Sequence, residues 1–179
     1  MNPDDVTEFR CARLLLLLDL VHDELPDGVD AERIALYDFF AAHPLLLARD
    51  SDDPDRLSLR LAGFDDRAVG YASAGQRLAT ALQRISGDLA VLVSTGLAGM
   101  TTSGRIRYRL TPAGRAAAAG LTAAYAVSYV AAARIVLRRL RRLSGRRLRE
   151  TVRRSTTFGY PTAAPGHPAA YSTDAGDQT

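Results

Sequence analysis

Residues Met100 to Gly114, MTTSGRIRYRLTPAG, constrain the fold more than any other stretch, because several independent local signals agree there. Thr102, Ser103 and Gly104 form a turn cluster. Arg105 to Leu110 then alternate strictly, with Arg105, Arg107 and Arg109 on one face and Ile106, Tyr108 and Leu110 on the other, the pattern of a half-buried strand leaving a hairpin. Thr111 before Pro112 is a helix start: the threonine oxygen accepts from an orphan amide, and proline at the first helical position gives up a donor that would go unused.

The rest of the chain is placed around this unit. Residues 1–6 are a short polar lead. Thr7 to about Glu24 reads as a helix whose centre, Leu14 to Leu18, is apolar on every side and therefore belongs in the middle of a core. LPDGVD, residues 25–30, is a turn, and Asp30 caps a second helix running to about Ala42, ended by Pro44. Arg49 to Arg56, RDSDDPDR, reads as a mobile acidic loop, and the alternating Leu57, Leu59 and Leu61 as a short strand; Gly63 and Gly70 bracket a further polar loop. From about Ala72 to Leu97 the spacing of Leu78, Leu82, Ile85, Leu89, Leu92 and Val93 predicts a long amphipathic helix, bent by Gly87 and closed by Gly96. Pro112 to about Leu143 reads as one long helix with an apolar stripe through Leu121, Tyr125, Tyr129, Ala132, Val136, Leu140 and Leu143. Gly145 interrupts it before a last basic segment to Arg154, and 155–179, rich in Pro, Gly, Ser, Thr and Ala, reads as a disordered tail. The expected fold is therefore mainly α with a small β wing. It is a winged-helix-like domain over 7–154 with a long C-terminal helix, in which Gln76 to Leu97 takes the place of the recognition helix.

Charge is divided along the chain. Met1 to Asp66 carries 16 acidic and 6 basic residues, a balance of −10, whereas Arg105 to Arg154 carries 14 arginines against Glu150 alone, a balance of +13. Such asymmetry implies an anionic partner for the C-terminal half, or pairing between the two halves. Every cation is an arginine, which we read first as a bias of base composition. Each is nonetheless a planar fork suited to phosphates and carboxylates. The wing arginines project about 7 Å apart along their strand, close to the repeat of phosphates on a nucleic-acid strand. They suit nucleic acid, a partner protein or intramolecular pairing. Arg134, Arg138, Arg141, Arg142 and Arg149 form a second approximate stripe, fit for a phosphate backbone or an acidic protein surface, or else merely solvated.

Chemistry beyond binding finds little support. The sequence holds no nucleophile and base pairing, phosphate-cradling glycine loop or zinc spacing, so a non-catalytic role without cofactor is expected. Asp19, His22 and Asp23 share a helix face in metal-ligand spacing, a pattern that polar residues at the end of a core helix explain equally well. Asp38 and His43 are expected to form a buried polar pair. Ala116 to Ala133 runs eighteen residues without a charge, but its Ala, Thr, Ser and Gly content favours a buried or partner-facing helix over a membrane span. A lone cysteine, Cys11, and an acidic opening, MNPDDVTEF, fit a cytoplasmic protein.

The order of these motifs resembles the middle component of bacterial ABC-three-component conflict systems. The matching pieces are RCARLLLLLDL, ALYDFFAAHP, VLVSTGL and the wing GRIRYRLTPAG, and the likeness covers Phe9 to Arg142. The chain departs from one branch of that family at Leu45 to Phe64, where the branch carries a loop containing glycine, proline and histidine. The resemblance implies a small adaptor in antiviral defence, seated between an SMC-like or ABC-type ATPase subunit and an effector protein. DNA is one candidate ligand of the Arg105, Arg107 and Arg109 face beside it, and no membrane and no small-molecule substrate are expected. A winged-helix DNA-binding transcription regulator is the competing expectation. It requires side chains on the helix before the wing that read base edges, and that helix offers a thin set: Gln76, Arg77, Gln83, Arg84 and Asp88.

Overall fold

The computed structural model describes residues 5–65, 73–102 and 104–157. Among these it is mainly helical, with a two-stranded antiparallel sheet. Helix α1 (Thr7–His22) is the axis. Leu14 to Leu18 are all buried, because α2 (Ala31–Ala42), α4 (Ala74–Ser94), α5 (Pro112–Ala119) and α6 (Ala124–Leu140) pack around it. The turn after α1 passes through Gly28 at φ 83°, where a Cβ would lie 2.7 Å from the carbonyl oxygen of Tyr108. Val29 then exchanges two backbone hydrogen bonds with Tyr108, at 3.0 and 2.8 Å, adding a single-residue bridge to the sheet. Asp30 caps α2 by accepting from the amide of Arg33 at 2.9 Å, as its position in the sequence predicts.

The hairpin comprises β1 (Ala98–Thr101) and β2 (Arg107–Leu110), with Ala98 opposite Leu110, Gly99 opposite Arg109, Met100 opposite Tyr108 and Thr101 opposite Arg107. Pairing begins at Arg107, two residues later than the alternation suggests. Leu110 and Ala98 are buried and Tyr108 half-buried while Arg107 and Arg109 are exposed, so the faces divide as expected over the paired residues; Ile106, expected on the buried face, precedes the pairing and is 51% exposed. Before it, α4 ends at Gly96 (φ 72°), where the amide of Leu97 bonds the carbonyl of Leu92 at 2.9 Å and that of Gly96 bonds Val93 at 3.0 Å, a glycine-terminated helix end. The helix runs through Gly87 without interruption. After the hairpin, the Thr111 hydroxyl accepts from the amide of Gly114 at 3.1 Å and donates to the carbonyl of Gly96 at 2.7 Å. It caps α5 and ties it to the end of α4.

Three expectations are corrected. Leu57 to Leu61 are not a strand but part of α3 (Pro54–Leu61): Asp53 caps it through the amide of Asp55, with Pro54 at the first position. Leucines four apart share a helix face, so Leu57 and Leu61 are exposed while Leu59, between them, is buried. The acidic stretch before it is not a free loop, since Asp53 and Asp55 are gripped by Arg139. The single long helix after the hairpin is two, α5 and α6, with a bend of 117° between them. Gly120 and Leu121 close α5 by bonding the carbonyls of Ala116, Ala117 and Ala118, and the turn sends α6 back across α1 and α2. The apolar stripe is divided accordingly: Tyr129, Ala132, Val136 and Leu140 are buried, while Tyr125 remains 42% exposed. No single helix among the described residues is long and apolar enough to cross a membrane.

The last basic segment is α7 (Gly145–Thr156), which carries on past Arg154 and buries Ser155. The expected flexible lead and tail lie, for residues 1–4 and 158–179, outside the described residues, as does the loop around Gly70.

Candidate interaction surfaces

The buried polar groups join helices. Arg13 on α1 donates to Asp38 on α2 at 2.8 Å, and the hydroxyl of Tyr129 on α6 donates to the other carboxylate oxygen at 2.7 Å. Burial, with the Asp38 charge beside it, pushes the Tyr129 hydroxyl well above the ordinary tyrosine range, which keeps it protonated and donating. The expected Asp38 and His43 pair does not form: His43 caps its own helix, with Nδ1 3.1 Å from the carbonyl oxygen of Phe39 and its ring stacked on that of Phe39. Asp38 turns instead toward partners from helices far away in sequence. Nearby, Asp88 on α4 accepts two bonds of 2.8 Å from Arg10. Arg10, Arg13, Asp38, His43 and Asp88 line a hollow of about 360 Å³ between α1, α2 and α4. Both carboxylates of the hollow, Asp38 and Asp88, are engaged by arginine.

The structure sorts the C-terminal arginines into two groups. Arg139 donates to Asp55 at 2.8 Å, to Asp53 at 3.0 Å and to the carbonyl of Leu47 at 2.8 Å, fastening α3 to α6. Arg138 also bonds Asp55, Arg141 bonds Glu24, Arg115 lies 3.8 Å from Asp19, and Arg153 and Arg154 share Glu150. Pairing between the acidic and basic halves thus takes up Arg138 and Arg141, two of the residues expected to meet a partner. Arg105, Arg107, Arg109, Arg134 and Arg142 are exposed and make no ion pair among the described residues. Arg146, Arg147 and Arg149 at the start of α7 belong with them. Which arginines are taken up depends on where distant carboxylates fold, which no local pattern reveals. No group of three or more His, Cys, Asp or Glu side chains among the described residues is arranged to hold a metal ion, and Asp19 lies beside Arg115.

The Arg139 clamp makes an acid-sensitive joint. Its hydrogen bonds hold Asp53 below the ordinary carboxylate range; for Asp55, burial acts upward and is outweighed by bonds from Arg138 and Arg139. A carboxylate whose pKa is depressed by folding contributes stability above its unfolded pKa and loses it as pH falls through the folded one. We expect α3 to loosen only below the ordinary carboxylate range, and Arg139→Ala to loosen it already at neutral pH. Proteolysis at Leu57 to Leu61, followed against pH, reads this out; equal resistance of both proteins at neutral pH would refute it.

The solvent side of α4 has a different character. Its C-terminal half exposes Ser86, Gly87, Ala90, Val91 and Ser94 and no charged side chain, Asp88 being turned inward. In the N-terminal half Gln76, Gln83 and Arg84 are exposed, with Arg84 3.2 Å from Asp5. Comparisons with protein-family models, with curated proteins and with solved structures find no match for this chain.

Proposed function

We propose that the chain is a non-catalytic winged-helix adaptor of a bacterial antiphage complex. It bridges an SMC-like or ABC-type ATPase and an effector, with the wing arginines turned toward DNA. The winged-helix assignment is supported by element order: α1, the Val29 bridge, α2, α4 and the β1 and β2 hairpin follow one another, with α3 inserted before α4. The observation that carries the adaptor reading is the uncharged outer face of the C-terminal half of α4. A helix that reads base edges needs side chains that donate and accept along its exposed side, and small, uncharged residues let another protein's backbone approach closely instead. A transcription regulator is the second reading, favoured by the exposed Gln76 and Gln83, which have the chemistry to read adenine; a footprint at a palindromic site would select it.

Ala90→Glu combined with Val91→Glu tests the adaptor. Both positions are exposed, so stability should change by less than about 1 kcal/mol. The wild-type chain, tagged in its native cells, should co-purify with an ATPase encoded beside it, and the variant should not. Retention of the ATPase by the variant, or a wild-type chain that captures none, contradicts the proposal.

A further inference from the structure

Nine exposed arginines among the described residues make no internal ion pair, and seven of them fall on two segments that both meet the α1 to α2 turn. The wing abuts that turn directly, since a Cβ on Gly28 would lie 3.3 Å from Cβ of Arg107 and Val29 is hydrogen-bonded to Tyr108. The same turn and the start of α2 are joined to the end of α6, because Arg33 donates to the carbonyls of Arg141 and Leu143 at 3.3 and 3.0 Å, and Arg141 reaches Glu24. Arg142, Arg146, Arg147 and Arg149 follow immediately.

We propose that these two patches together form a sequence-independent seat for duplex DNA, with α7 gripping the phosphate backbone on one side of the turn and the wing on the other. The proposal rests on the DNA contact of the wing proposed above and adds α7 as a second, independent contact. Three observations favour a duplex over an acidic protein. First, no large apolar side chain is exposed between Arg141 and Thr157, whereas a protein interface needs an apolar centre to supply most of its affinity. Second, on the arginine face of the hairpin the neighbours across the strands are Gly99 and Thr101, so nothing there offsets the charge. Third, the turn between the patches carries Asp23 and Asp27, both exposed, and Glu24 and Asp30, engaged by Arg141 and Arg33. Two cationic patches parted by carboxylates suit a ligand whose charge lies on two strands with a groove between them.

The test uses the full chain and a mixed-sequence DNA duplex of about 30 base pairs, with affinity measured against salt concentration. Replacing Arg146, Arg147 and Arg149 with glutamine should weaken binding about 10- to 100-fold at low salt and reduce the slope of log affinity against log salt by about 3, because each lost phosphate contact retains its counterion. Arg105→Gln, Arg107→Gln and Arg109→Gln together should do the same, and this arm reads the wing contact alone. If the wing variant weakens while the α7 variant binds with the wild-type slope, the wing reading stands and this inference falls. Failure of the wild-type chain to bind the duplex, or displacement of the duplex by poly-glutamate at equal charge concentration, also overturns it.

Discussion

Asp38→Ala is expected to destabilise the protein by about 3 to 5 kcal/mol, the usual cost of removing one partner from a buried ion pair. The side chains of Arg13 and Asp38 are only 7% and 10% exposed, so the ion pair is largely buried, and Tyr129 loses its acceptor at the same time. The network joins α1, α2 and α6, and the loss therefore reaches the packing of the whole bundle. Tyr129→Phe removes one hydrogen bond to a charged group and should cost about 1.5 to 3 kcal/mol. Urea denaturation of the set measures these differences. An Asp38→Ala midpoint equal to that of the wild type would mean that the network contributes nothing.

Gly114→Ala is the second large effect. A Cβ at this position would stand 1.9 Å from the carbonyl oxygen of Leu97 and 3.1 Å from Cδ2 of Leu110. That carbonyl already accepts from the amide of Thr111 at 3.0 Å, so it cannot retreat without opening the joint between α4, the hairpin and α5. We expect a loss of about 3 kcal/mol or more, at the upper end of overpacking. Gly87→Ala is the matched control: it lies within α4 with nothing within 4 Å of an added Cβ, and should stabilise by about 0.5 to 1 kcal/mol. Thermal melts of the two proteins should move in opposite directions; a Gly114→Ala protein as stable as the wild type would contradict the packing described.

What could be read from the sequence was what local chemistry decides. The hairpin, the Thr111 cap, the all-apolar α1 and the Asp30 cap each rest on residues within a few positions of one another. Asp53 and Pro54 form the same start signal as Thr111 and Pro112, but the leucine alternation that follows fits a strand as well as a helix with one buried leucine. Burial of Leu59 beneath exposed Leu57 and Leu61 decides it. The bend after Ala119 was hidden because the apolar stripe keeps helical spacing straight through Gly120, and only packing against α1 and α2 sets the direction of α6. The partners of Asp38 come from α1 and α6, and the carboxylates that take up Arg138, Arg139 and Arg141 come from α3 and the α1 to α2 turn. Long-range pairing of this kind leaves no periodic trace. It divides the candidate site, leaving Arg105, Arg107, Arg109, Arg134 and Arg142 without an ion pair among the described residues and pairing Arg138, still 63% exposed, and Arg141 with carboxylates.

Two unlike surfaces are the heart of this account, and a single cysteine placed on each distinguishes them. Cys11 is buried, and burial pushes its thiol above the ordinary range, so it should remain silent toward maleimide in the folded protein. Ser86→Cys marks the uncharged side of α4. Its labelling rate, measured free, with the duplex and with the ATPase subunit, is the most direct measurement. The proposed ATPase partner should protect this thiol and the duplex should not, while a thiol at position 107 of the wing should be protected by the duplex. A Ser86→Cys thiol labelled equally fast with and without the ATPase, or protected by DNA, would contradict it.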